Sequence, residues 1–86
     1  MKPYQVEVTK GAKKQLAALP EKEARRIDRR ILSLEADPRP PGCKKLQIEQ
    51  DVYRLRHGDY RIIYQVNDEL SVVKVLRVMH RRDVYR

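Results

Sequence analysis

The 86-residue chain is expected to fold as a single α+β domain (residues 1–86) of order β-α-α-β-β-β. A short C-terminal turn or helix should close a mainly antiparallel sheet that carries a two-helix hairpin on one face. Three observations carry that expectation. A period-two apolar stretch opens the chain, two short stretches of helical period meet at a proline, and three β-rich segments separated by turn-forming pairs fill the second half.

The first strand is read from Tyr4, Val6 and Val8 alternating with Gln5, Glu7 and Thr9, which leaves one face apolar. Thr9 can cap a short helix in which Ala12, Leu16 and Leu19, spaced four and then three, fall on one side. Pro20 ends that helix and can open another. The second helix is expected over residues 21–36, with Ala24, Ile27, Ile31 and Leu34 as its apolar stripe and Lys22, Arg25, Arg26, Arg29 and Arg30 outside it. Asp37 ends it, because the residue before a proline is pushed out of the helical region. "PRPPG" at 38–42 is then a stiff loop. A further short strand is expected around residues 44–48.

Residues 52–57, 60–67 and 70–80 read as three strands joined by Gly58-Asp59 and Asp68-Glu69, both taken as two-residue hairpin turns. The first turn pairs His57 with Tyr60, Leu55 with Ile62 and Tyr53 with Tyr64 on the core face. It sets Arg56 against Arg61, Arg54 against Ile63 and Val52 against Gln65 on the other. The second turn, read the same way, puts Val73 and Val75 against Tyr64 and Ile62 in the core and Lys74 beside Ile63 outside. Ile63, Val72, Leu76 and Val78 share that outer, basic side.

Two like charges opposed across a hairpin cost up to about 1 kcal/mol, so the Arg56/Arg61 pair needs a reason. Either the arginines snorkel outward over apolar neighbours, or they converge on an anion, and guanidinium groups that hold oxygens in bidentate fashion suit a phosphate chain. The formal charge of +8, from 20 Lys and Arg against 12 Asp and Glu, points the same way, toward a polyanionic partner. The closing "RVMHRRDVYR" repeats the theme and delivers Arg81, Arg82, Tyr85 and Arg86 near the sheet edge, with Arg77 just before them.

Cys43 is the only cysteine, which excludes an internal disulfide and fits a reducing, cytoplasmic setting. The N-terminus lacks the apolar run of a signal peptide, and no stretch approaches the ~18 apolar residues of a membrane span. No metal or other cofactor is expected: Cys43, His57 and His80 have no zinc-like spacing, and Gly11, Gly42 and Gly58 are isolated.

Cleaving RNA needs a group to take the 2′-hydroxyl proton, positive charge on the phosphorane and a proton for the 5′-oxygen. Arg61 and Arg81 are candidates for the phosphorane. His57 falls on the core side and reads as structural, whereas His80 falls on the basic side beside Arg81, where neighbouring cations favour the neutral, proton-accepting imidazole. Tyr85 can exchange a proton or stack on a base.

The order of elements together with "GDYRIIY" and the closing "HRRDVYR" resembles the RelE/ParE superfamily of bacterial type II toxins, in particular the RelE-type messenger-RNA interferases, over essentially the whole chain. The resemblance implies a metal-independent endoribonuclease that cuts translated mRNA in the ribosomal A site, partnered by an acidic antitoxin. It also implies site roles for Arg54, Arg56, Arg61, Arg81 and Tyr85. Arginine stands at the first two positions where relatives often have lysine, and it hardly gives up its proton, so His80 becomes the candidate base. Lys74, Arg77, Arg82 and Arg86 are expected along the RNA, and Ile63, Val72, Leu76 and Val78 as the patch an antitoxin segment covers. Two other readings stand beside this one: a gyrase-poisoning toxin of the same fold, as in the ParE branch, and a small RNA- or ribosome-binding protein without toxicity.

Overall fold

The structure, a computed structural model, describes residues 3–83. Its elements are β1 (Gln5–Val8), α1 (Lys10–Ala17), α2 (Glu21–Leu32), a 3-10 turn (Ser33–Glu35), β2 (Lys44–Lys45), β3 (Val52–His57), β4 (Tyr60–Asn67), β5 (Val72–His80) and a closing 3-10 turn (Arg81–Asp83). The sheet order is β1-β5-β4-β3-β2, with β1 parallel to β5 and every other pairing antiparallel. This is the expected α+β arrangement. The α2 helix is shorter than the stretch 21–36, because its last turn tightens into the 3-10 turn before the proline loop.

One face of the sheet carries the core. Ala12 of α1 and Ile27 and Ile31 of α2 pack with Leu34 on Leu55, Ile62, Tyr64, Val66, Val73 and Val75. Thr9 caps α1 as expected, its Oγ1 accepting from the Ala12 amide at 3.2 Å. α2 starts directly after Pro20, with Glu21 and Glu23 in its first turn and Arg29 and Arg30 in its last, a charge order that complements the helix dipole.

The β3–β4 hairpin has the expected register throughout, from His57 opposite Tyr60 to Val52 opposite Gln65. Gly58 holds a positive φ of 59° and Asp59 does not, the arrangement of a two-residue turn with glycine in its first central position.

The β4–β5 connection differs in two ways. It is a four-residue turn, Asp68 to Ser71, in which the Leu70 amide donates to Asn67 Oδ1 at 3.0 Å and Ser71 takes a left-handed φ of 54°. Val75 therefore faces Tyr64, Val73 faces Val66, and Lys74 faces Gln65 rather than Ile63. A shift of two residues preserves the faces, so this alone moves no side chain through the sheet.

The second difference does. Between the Tyr64–Val75 and Ile63–Arg77 pairs, β5 has one residue more than β4, and Leu76 is bulged. α1 satisfies the freed backbone groups: the Thr9 hydroxyl donates to the Leu76 carbonyl at 3.2 Å, and the Val78 amide donates to Gln15 Oε1 at 2.7 Å. Beyond the bulge the alternation is inverted. Val78 faces Ile62 within the core and is only 4% exposed, and His80 faces Tyr60 on the helix side of the sheet. Neither lies on the basic face, where simple alternation puts them.

Candidate functional site

The outer face gathers its arginines at one end of the sheet. Arg56 closes β3, Arg61 follows the first residue of β4 directly opposite, and Arg81 opens the closing turn. The Arg81 amide donates to the Asp59 carbonyl at 2.6 Å, which ties the C-terminal turn to the tip of the hairpin. Arg56, Arg61 and Arg81 line a cleft of about 290 Å³ together with Gly58 and Asp59, the exposed residues of the hairpin turn. Asp59 is the only carboxylate residue lining the cleft among the described residues.

Arg61 is 3% exposed, and among the described residues nothing accepts a hydrogen bond from its Nε. A buried donor left unmatched costs roughly 1–3 kcal/mol, so an anion entering the cleft would meet a group whose desolvation cost is already met in the fold. The positive charges of Arg56 and Arg81 beside it give the cleft the chemistry that attracts an anion.

Arg54 shares the outer face, half-buried, opposite Ile63 and beside Lys44 of β2, but does not line the cleft. Lys74 is exposed on the same face near the other end of the sheet, opposite Gln65. Arg77 is exposed opposite Ile63, and Arg82 is exposed with its amide donating to His80 Nδ1 at 3.3 Å. Tyr85 and Arg86 lie outside the described residues. His80 packs edge-on against the Tyr60 ring, centroids 5.1 Å apart, and is not among the cleft-lining residues.

Of the four apolar residues expected to form one patch, Ile63 and Leu76 line a groove of about 500 Å³ together with Ile48, Val52 and Met79. Val72 sits at the far end of β5 opposite Asn67, and Val78 belongs to the core. The groove exists because residues 46–51 fold back over the outer face: the Leu46 amide donates to the Val52 carbonyl at 2.8 Å, and Val52 is buried there to 1% exposure. The sequence signal for this cover was Val52 itself, an apolar residue in register with Arg54 and Arg56.

On the opposite side a polar clasp joins the proline loop to the β4–β5 turn. Arg39 donates from Nη1 and Nη2 to both Asp68 oxygens, at 3.1 and 2.9 Å, and from Nε to the Tyr53 hydroxyl at 2.8 Å; the Tyr4 hydroxyl donates to Asp68 Oδ1 at 2.6 Å. The bonds from Arg39 and then Tyr4 hold the Asp68 carboxyl below its ordinary value, and the same bond to Asp68 pushes Tyr4 up. Burial is the first cause that raises Tyr64, whose hydroxyl donates to the Pro38 carbonyl at 2.8 Å. No sequence motif marked this clasp. Among the described residues no three His, Cys, Asp or Glu side chains cluster as metal ligands, and no helix is long and apolar enough to cross a membrane.

Among known proteins, residues 6–85 match the family described as the ParE toxin of the type II toxin-antitoxin system parDE. The chain is 36% identical over 85 residues to Toxin RelG of Mycobacterium tuberculosis, covering 98% of both chains, and 29% identical to Toxin RelE of the same organism, covering 98% and 88%. Among solved structures it superposes on the RelE–RelB complex of Pyrococcus horikoshii with a TM-score of 0.82 at 37% identity, over 92% of this chain and 96% of that one. The intact RelBE toxin-antitoxin complex of E. coli gives 0.76 at 29%, over 90% and 95%.

Proposed function

The chain belongs to the ParE toxin family of type II toxin-antitoxin systems and is a RelE-like toxin, and on that premise we propose that it is a metal-independent, ribosome-dependent endoribonuclease cleaving translated mRNA. The observation that carries this reading is the convergence of Arg56, Arg61 and Arg81, from two strands and the closing turn, on one cleft.

In this reading the 2′-oxygen of one nucleotide attacks the adjacent phosphorus, forming the O2′–P bond as the P–O5′ bond breaks. The products are a 2′,3′-cyclic phosphate and a 5′-hydroxyl. Arg61 and Arg81 hold the phosphorane oxygens, with Arg56 completing the charge. Asp59, whose residue lines the cleft, takes the 2′-hydroxyl proton. Tyr85, four residues beyond Arg81, supplies the proton to the departing 5′-oxygen. Arg54 and Lys74 extend the cationic path along the outer face, so binding weakens with salt. The partner is an acidic antitoxin, which seats apolar side chains in the groove beside Ile63 and Leu76 and sets carboxylates against the arginines.

A second reading is favoured by one specific observation, the ParE description of the matching family: a toxin that inhibits DNA gyrase without cleaving RNA. Brief induction in bacteria with mapping of mRNA 5′ ends, run beside a gyrase supercoiling assay, separates the two. New ends within translated frames that vanish with Arg81→Ala support the nuclease. Blocked supercoiling with intact messages supports the gyrase poison.

A further inference from the structure

Lys22, Arg25, Arg26, Arg29 and Arg30 recur along α2 at intervals of three and four residues, the period of a single helical stripe. At 100° per residue this stripe is centred on the side away from Ile27 and Ile31, which are buried in the core. Glu21, Glu23 and Asp28 fall at its borders and not within it. Lys22, Arg25, Arg26 and Arg29 are exposed, and Arg30 is half-buried.

The intramolecular carboxylates neutralise little of it. Glu21 bonds Arg25 at 2.5 Å and Glu23 approaches Arg26 at 3.9 Å, both at the solvent surface with only Glu23 half-buried, where ion pairs contribute little. Lys22, Arg29 and Arg30 make no ion pair among the described residues. Two shallow concavities run along the stripe, and the second, formed by Arg26, Arg29, Arg30 and Ser33, includes His57 of the β3–β4 hairpin. The hairpin tip therefore carries the arginine cleft on one side and meets the α2 stripe on the other.

We infer that this face of α2 is a second polyanion-binding surface, and that its occupant is the phosphate backbone of double-helical RNA. The reading goes beyond the cleft and rests on the proposed function only in taking RNA as the polymer. The stripe follows one helix, α2 itself carries no aromatic residue on which an unstacked base could rest, and among the residues lining its two concavities His57 supplies the single ring. A single-stranded substrate needs such stacking platforms, whereas duplex RNA is held by its shape and its phosphates. Lys22 and Arg29 stand two turns apart, roughly 10 Å along the axis, so cations on successive turns can reach successive phosphates.

The test measures binding of a fluorescent RNA duplex of arbitrary sequence by the full chain as a function of salt. Lys22→Glu/Arg29→Glu, two residues without intramolecular ion pairs, is compared with Arg56→Ala/Arg81→Ala, with an equal-length DNA duplex and poly-glutamate as competitors. The expected result is an affinity loss of at least tenfold for the α2 variant, with the slope of log affinity against log salt falling by about two. The cleft variant should keep most of its duplex binding, and the α2 variant should keep the wild-type unfolding midpoint. Equal binding by the α2 variant and wild type overturns the inference. So does stronger competition by DNA or by poly-glutamate than by unlabelled RNA duplex; the last would assign the stripe to an acidic protein. Loss of cleavage in the cleft variant bears on the nuclease alone, so the two readings fail separately.

Discussion

Replacing Arg61 with methionine should yield a protein that is more stable and a much weaker nuclease. Arg61 is 3% exposed, faces Arg56 across the hairpin, and has a buried Nε without an acceptor among the described residues. The unmatched donor costs about 1–3 kcal/mol and the opposed charges up to about 1 kcal/mol. Methionine keeps the buried stem and loses the guanidinium, leaving a small void that costs about 1 kcal/mol. The net expectation is a gain near 1 kcal/mol, which for a chain of this length raises the thermal midpoint by about 4–8 °C. Cleavage should fall about 10²- to 10³-fold, the usual cost of deleting one preorganised donor. The assay is thermal and urea unfolding by circular dichroism beside single-turnover cleavage on programmed ribosomes. A destabilisation beyond about 1 kcal/mol would refute the reasoning, because it would mean that the fold satisfies the guanidinium and does not store it for a ligand.

Asp59→Asn should lower cleavage about 10²-fold or more if the cleft carboxylate takes the 2′-hydroxyl proton, whereas His80→Ala, which empties a site beside Tyr60, should cost less than about tenfold; single-turnover rates across pH check both. Val78→Ala should cost about 2 kcal/mol and Leu76→Ser less than about 1 kcal/mol by urea unfolding, the reverse of what an unbulged strand implies. The Asp68 pKa is depressed by folding, so its contribution is present above the ordinary value of 3.8 and is lost as pH falls through the lower folded value. Tyr4 is raised, so its contribution is present below 10.0 and is lost as pH rises through the folded value. Urea midpoints of wild type and Asp68→Asn should therefore converge in strong acid and separate near neutrality.

The β3–β4 hairpin was legible to the residue, because Gly58-Asp59 admits one common turn and the flanking alternation agrees with it. The convergence of Arg56 and Arg61 follows from that register alone. What the sequence did not show is everything that depends on β5. Its register was set by the Asn67 side chain capping a four-residue turn and then by the bulge at Leu76, which Thr9 and Gln15 of α1 stabilise from more than sixty residues away. Period-two alternation carries no trace of such partners, so by itself it puts Val78 and His80 on the wrong face. Arg39 carries no local signal for a related reason: its partners Asp68 and Tyr53 meet it only after the sheet has formed.

The central claim, that the arginine cleft performs transesterification at a ribose, is tested most directly by one substrate. An mRNA carrying a single 2′-deoxy nucleotide at the mapped cut site is loaded on ribosomes and treated with the protein in the presence of a chelator. The all-ribose message should yield a 2′,3′-cyclic phosphate and a 5′-hydroxyl, and the deoxy message should stay intact at that position. Cleavage of the deoxy message, or products bearing a 5′-phosphate, would contradict that claim.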